Sequence, residues 1–312
     1  MVDSKILVVN PGLLSIVVDM GRTHGQDQGL SEGGPMDIDA YEMANWLCAN
    51  PIHTPAIEVI GKCELEATAR ISLAVCGPET TVTVNQCQAP TWKTLKLSNG
   101  HRVVIEPHRL GQRAYIAVHG TWSLRPVAGS VCTISRENLG GIDGKGGALK
   151  EGDSLPGTFS SFNDIREVPI EHRPDYELSE PLALVPGYQE KHFSHLSLAR
   201  FYSSAYMVSS QISRMGYRLK GQRIDSSCRT MRSEGINLGS VQVPGDGQPI
   251  IMMRDRQTLG GYPKLGAIAP YDIGRLAQAV PSDVVSFTRT DANDARCTWL
   301  LRHRFRSSLI KD

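Results

Sequence analysis

Short apolar runs rich in valine, isoleucine and threonine most constrain the fold: ISLAV (71–75), TTVTV (80–84), HRVVIE (101–106) and AYIAV (114–118). Each is too short to be stable alone and must pair with neighbours in a sheet. Between them, 30 glycines and 18 prolines supply reversals. The spacing predicts a mainly β fold with a few helices, of the barrel or sandwich kind. ILVVNPGLLSIVVD reads as two strands and a turn at Asn10, Pro11 and Gly12, not as a signal peptide. One predicted helix runs through DIDAYEMANWLC, capped by Asp37, with Ile38, Tyr41, Ala44 and Cys48 at near-helical spacing. Another is DIGRLAQAV, capped by Asp272, with Ile273, Leu276, Ala277 and Val280 on one face.

A chain of 312 residues has room for two compact lobes. Residues 138–180 lack periodicity and are rich in glycine, proline and charge, which predicts a linker or long crossing segment. The strand-rich style resumes at LALVPG. The expected organisation is therefore a lobe over 1–175, a second over 176–290 and an extension over 291–312. The 33 basic and 32 acidic residues nearly cancel, so no long-range field steers a polyanion to the protein. The expected partner is a small molecule or a protein rather than nucleic acid, and no apolar run approaches the ~18 residues of a membrane helix. Seven scattered cysteines without a Cys-x-x-Cys pair predict reduced thiols and a cytoplasmic setting. The basic, aromatic tail RCTWLLRHRFRSSLIK, with Arg296, Arg302, Trp299 and Phe305, reads as a docked or partly solvated terminal segment.

Several motifs carry no chemistry. GGIDGKGGALKEGD invites a phosphate-loop reading, but Leu139 stands where the pattern needs its first glycine and Gly146 where it needs serine or threonine, leaving a glycine-rich turn. His192 and His195 have no evident third ligand, so no metal is expected. There is no Gly-x-Ser-x-Gly elbow. Three stretches are harder to explain as packing. VDMGRTHGQDQGLSEGGPMD (18–37) sets Asp19, Arg22 and His24 among glycines before a helix start, where backbone amides can approach an anion or carbonyl. In SQISRMGYRLKG (210–221), a strand over 214–219 places Arg214, Gly216 and Arg218 on one face, a geometry for a carboxylate or carbonate; a solvent-exposed basic face is the other reading. In GQPIIMMRDRQTLGGYPKLG (247–266), a strand through 257 puts Ile251, Met253, Asp255 and Gln257 on one face and Arg254 and Arg256 on the other. A carboxylate and an amide would then stand at the mouth of a barrel, with Gly260 and Gly261 letting the backbone approach a ligand beside Tyr262. Alternatively Asp255 pairs with Arg254 or Arg256 and the glycines form a hairpin.

GLLSIVVDMGR with GGPMDIDAYEMANWL, then SRMGYRL and RSEGINLGSVQVPGDGQPIIMMRDRQTLGGYPKLG, resemble the allophanate hydrolase subunit 2 family, which comprises the C-type subunits of the biotin-dependent carboxyltransferase group, over roughly residues 6–290. The chain departs from the family pattern at Gly33, Ser213, Arg254 and Leu259. The resemblance implies two cyclophilin-like β-barrel lobes and two companions, a B-type subunit of the partner kind and a LamB-like A-type subunit. With them, members open the lactam of 5-oxoproline to glutamate using ATP bound by the complex. Other members are carboxyltransferase parts of biotin-dependent urea or amide carboxylases; with no Met-Lys-Met attachment motif here, biotin would reach this chain only on a partner. Still others are non-catalytic and bind a kinase inhibitor. On this resemblance Arg214 and Arg218 hold a carboxylate or carbonyl oxygen, Asp255 is a base or orienting carboxylate, and Gln257 and Tyr262 position the substrate. Glu234, Gly260, Gly261, Asp19 and Arg22 are expected to contribute to substrate binding.

Overall fold

The computed structural model describes residues 6–228 and 231–311. The chain forms two compact units, one of Met1–His24 with Gly33–Asp175 and one of Gly25–Glu32 with Tyr176–Asp312. The short segment 25–32 thus belongs to the second unit although the chain on both sides of it belongs to the first.

In the first unit the apolar runs become strands: β1 (Ile6–Asn10), β2 (Leu14–Val18), β3 (Ala56–Ile60), β4 (Cys63–Ala67), β5 (Ile71–Cys76), β6 (Thr80–Val84), β7 (Cys87–Ala89), β8 (Thr94–Leu97), β9 (Arg102–Pro107) and β10 (Arg113–Val118). They form two five-stranded sheets, ordered β1-β4-β9-β6-β7 and β2-β3-β10-β5-β8. The predicted pair β1 and β2 flanks a turn as expected, yet each strand enters a different sheet. Residues 11–13 join one edge of the two sheets and residues 90–93 the other, so the sheets close around one core. Alternate residues fill it: Val8, Leu65 and Val103 from one sheet meet Val17, Ile57 and Ile116 from the other. A smaller pair, β11 (Gly120–Trp122) with β12 (Gly157–Phe159), adds Trp122 and Phe159 to the same core.

β5 and β10 are buried on both faces because α1 (Ile38–Leu47) covers the outer one. Asp37 caps α1 as predicted, its carboxylate accepting from the Ala40 amide at 3.2 Å. Under the helix start, Glu58 accepts from the Met36 amide at 3.0 Å and from the Tyr115 hydroxyl at 2.7 Å. Burial also pushes the α1 carboxyl of Glu42 up to about 7. A carboxyl raised in the folded state favours folding fully at low pH, and that advantage is lost as pH rises from the unfolded value toward the folded one. Glu42→Gln is therefore expected to gain about 2–3 kcal/mol on the wild type between pH 5 and pH 8. Urea denaturation at the two pH values measures it; a pH-independent difference would show that Glu42 ionises in the fold as it does in the unfolded chain.

The second unit contains β13 (Leu182–Pro186), α2 (His195–Ser203), β14 (Tyr206–Ile212), β15 (Gly216–Gly221), β16 (Glu234–Gly235), β17 (Ser240–Gln242), β18 (Ile250–Met252), β19 (Leu259–Gly260), β20 (Lys264–Ile268), α3 (Ile273–Ala277), β21 (Val284–Val285), β22 (Phe287–Arg289) and α4 (Ala292–Lys311). Its main sheet has the order β21-β14-β15-β18-β17-β20-β13-β22. The two edge strands are separated in sequence only by Ser286, whose carbonyl accepts from the Leu182 amide at 2.8 Å. Adjacent α-carbons are about 3.8 Å apart, so the two edges meet and the sheet closes into a barrel. Phe201 of α2 stacks on Phe287 at 4.6 Å between centroids, and Tyr206 lies 5.9 Å from the same ring. Where β13 and β20 pair, a Cβ on Gly266 would lie 2.1 Å from the Val185 carbonyl oxygen, so only glycine fits.

The predicted helix near Asp272 exists, and Ile273, Leu276, Ala277 and Val280 are buried, but Asp272 does not cap it with its side chain. That carboxylate instead accepts from the Ala183 amide at 2.8 Å and from Arg275 at 2.9 Å, tying the short helix to β13. The C-terminal segment is α4, with Ala295 packed against Ala183 and Ala269 and the Arg302 guanidinium 4.8 Å from the Tyr271 ring centroid. Among the described residues, no helix is long and apolar enough to cross a membrane.

Candidate functional site

A concentration of buried charge lies in the second unit, where β18 ends. The expected strand through residue 257 stops at Met252. Beyond it the Met253 amide donates to the Met215 carbonyl at 2.9 Å and the Asp255 amide to the Arg214 carbonyl at 2.8 Å, while Arg256 closes a turn onto Met253 at 3.2 Å. Strand alternation therefore does not apply to 253–257. Arg254, Asp255 and Arg256 are all buried, at 9%, 8% and 6% exposure. The second expected strand is also shorter: β15 begins at Gly216, so Arg214 sits in a turn and does not share a strand face with Arg218. Arg218 pairs with Asp246 and is only partly covered.

Buried charges must be matched, and the structure shows how. Arg214 holds Asp255 in a two-point pair, Nε to Oδ2 at 2.9 Å and Nη2 to Oδ1 at 2.9 Å. Neither Arg254 nor Arg256 is the partner of Asp255. Both reach Glu32 instead, Arg254 Nη1 at 3.2 Å and Arg256 Nη2 at 2.9 Å. Arg256 also donates through Nε to the Ile236 carbonyl at 3.0 Å, and Ser31 donates through its hydroxyl to the Arg256 carbonyl at 2.9 Å. Sequence reasoning does not find Glu32 and Ser31, although the stretch around them stands out for its glycines. Within this set the Arg214, Arg254 and Arg256 guanidinium groups are held by the Asp255 and Glu32 carboxylates.

Beside the cluster is a cavity of about 260 Å³, bounded by Glu32, Arg256, Gln257, Asn237, Gln26 and Asp27 among others. That is below the ~300–1,000 Å³ of drug-sized pockets and suits a small metabolite. Gln257, half-buried, lines it with a side-chain amide that has no hydrogen-bond partner among the described residues. Asp255 has both oxygens committed to Arg214.

The remaining residues expected at the site have partners of their own. Gly260 and Gly261 are held close to the chain itself: a Cβ on Gly260 would lie 2.5 Å from the Ile236 side chain and one on Gly261 2.8 Å from the Met231 carbonyl oxygen. Glu234, paired with Gly260 across β16 and β19, accepts from Lys264 at 2.5 Å and from Tyr188 and Gln189. Burial raises its carboxyl, but those donors outweigh burial and hold it below the usual range. Tyr262 is exposed. Asp19 and Arg22 belong to the first unit, where Asp19 accepts from Val131 and Ser130 at 2.7 and 2.5 Å.

The glycine loop at 140–147 does not fit a nucleotide phosphate. Asp143 Oδ1 already accepts from the Lys145 and Gly147 amides at 2.8 and 3.2 Å, placing a carboxylate where a phosphate oxygen would go. Among the described residues, no group of three or more histidines, cysteines and acids could hold a metal ion.

The carboxyltransferase domain family, subdomain A and B, matches residues 28–289, and the chain belongs to that family. It is 31% identical over 290 residues to the 5-oxoprolinase C subunit of Escherichia coli (strain K12), covering 92% of each chain. It is 30% identical over 281 residues to the 5-oxoprolinase C subunit of Haemophilus influenzae, covering 89% of each. The solved structure of K. lactis urea amidolyase matches 98% of this chain with a TM-score of 0.88, using 20% of its own length at 22% identity, and so shows the same fold. The two cyclophilin-like β-barrel lobes implied by the sequence resemblance accord with that fold.

Proposed function

We propose that this chain is the C subunit of a multi-component, ATP-dependent 5-oxoprolinase that opens 5-oxoproline to glutamate with a companion B-type subunit and a LamB-like A-type subunit. The observation that carries the reading is a cavity of about 260 Å³ with the Arg256 guanidinium in its wall. 5-Oxoproline is small and bears one carboxylate, which matches both. The 31% identity to a 5-oxoprolinase C subunit over nearly the whole chain supports it.

In this reading Arg256 draws in the substrate carboxylate, and the Gln257 amide meets the lactam with one donor and one acceptor, as a cis amide requires. Asp255 and Arg214 lock the turn that carries Arg254 and Arg256, so that the cationic groups are in place before the substrate arrives. Nucleotide is bound by a partner chain. The test is glutamate formation from 5-oxoproline and ATP by the three co-expressed subunits. Gln257→Leu in this chain, at a half-exposed position, is expected to lower kcat/KM by about 100-fold with the complex intact. A stable wild-type complex that forms no glutamate would sink the proposal.

The family match to a carboxyltransferase domain favours a second reading, in which the same cavity receives an amide or urea for carboxylation by biotin carried on a partner. Turnover that depends on biotin and bicarbonate separates the two.

A further inference from the structure

Arg22 is 1% exposed in the first unit, and its only hydrogen bond among the described residues runs from Nη2 to the Cys132 carbonyl at 3.0 Å. Its Nε and Nη1 are buried without any partner. The acid three residues away does not serve as counter-ion: the Asp19 carboxylate is taken up by the Gly21 amide at 3.0 Å, the Val131 amide at 2.7 Å and the Ser130 hydroxyl at 2.5 Å. A guanidinium remains charged at any working pH. Burying it with one neutral acceptor is costly, whereas a buried cation is tolerated when an anion completes it.

The surroundings are built rather than accidental. Cys132, which takes the Arg22 bond on its carbonyl, also accepts the Gly34 amide on Sγ at 3.1 Å. Gly33 and Gly34 both have left-handed φ, +70° and +95°, and a Cβ on Gly33 would lie 3.0 Å from Cys132 Sγ. Glycine at both positions lets the backbone close onto Cys132 and so fixes the carbonyl that orients the guanidinium.

We propose that Arg22 is the cationic wall of an internal site in the first unit that takes a small oxyanion of the carboxylate or bicarbonate class. Water can satisfy single N–H groups but leaves the charge uncompensated, and two donors on separate nitrogens match an anion with more than one oxygen. The proposal uses none of Arg214, Arg254, Asp255, Arg256 or Glu32, and its test does not rest on the proposed lactam chemistry.

The test is thermal unfolding of the full chain in a low-salt zwitterionic buffer, with sodium formate titrated against matched sodium chloride. Formate is expected to raise the wild-type midpoint saturably by about 2 °C, and to leave Arg22→Met unmoved. Without formate, Arg22→Met is expected to unfold no lower than wild type, since it removes an uncompensated charge while keeping an apolar stem. Calorimetric titration of wild type with formate should give one site per chain, a readout that survives if the variant fails to fold. Absence of saturable formate binding overturns the proposal. An equal response to chloride overturns the oxyanion assignment, and a formate response retained in Arg22→Met overturns the role of Arg22.

Discussion

Asp255→Ala is expected to destabilise the protein by about 3–5 kcal/mol, because it leaves the Arg214 guanidinium buried without its two-point partner. The pair spans 41 positions and both side chains are nearly sealed from solvent. The cost is therefore one of stranded charge more than of lost attraction. Adding Arg214→Met should return much of it, since removing both charges removes the desolvation penalty as well. A double-mutant cycle by urea denaturation reads this directly. A single-variant loss below about 1 kcal/mol would mean that the pair behaves as a surface ion pair. If Asp255 orients the arginine turn, the double variant should be stable yet leave the proposed three-subunit complex weakly active, which separates positioning from folding.

Much of the fold is legible in the sequence because strand periodicity is local. Val103 and Ile105 announce their buried face by spacing alone, and Asp37 announces the start of α1. Closure of the sheets is not legible. That β21 and β22 form opposite edges of one sheet depends on pairing with β14 and β13, which are distant in sequence. The candidate site shows the same division. MMRDRQ continues directly from the apolar run of β18 and so reads as more of the same strand, but its backbone donors are claimed by the Arg214 and Met215 carbonyls across a turn, and this places three consecutive charged residues inside. Asp255 draws attention by its composition, whereas its partner does not follow from nearest neighbours. Glu32 is further out of reach, 222 positions from Arg254, in a segment that belongs to the second unit only through three-dimensional contacts. The glycines mislead: Gly260 and Gly261 answer to Ile236 and Met231 rather than to a ligand.

Glu32→Ala removes the carboxylate shared by Arg254 and Arg256 and is expected to cost about 3–5 kcal/mol, as two buried cations lose their counter-ion together. Glu32→Gln should cost less, about 1.5–3 kcal/mol, since the amide oxygen still accepts one hydrogen bond. Both variants raise the positive charge at the cavity edge. Acetate should therefore raise the unfolding midpoint of Glu32→Ala more than that of wild type, by entering the place the carboxylate vacated. Thermal unfolding across an acetate series at constant ionic strength measures this, and identical slopes for the two proteins would show that the cavity does not select for a carboxylate. Glu32 occupies two guanidinium groups, the same groups that the proposed reading offers to a substrate carboxylate. In that reading a tighter grip of Glu32 on Arg254 and Arg256 favours stability and a looser one favours binding, and the acetate series reads both in one experiment.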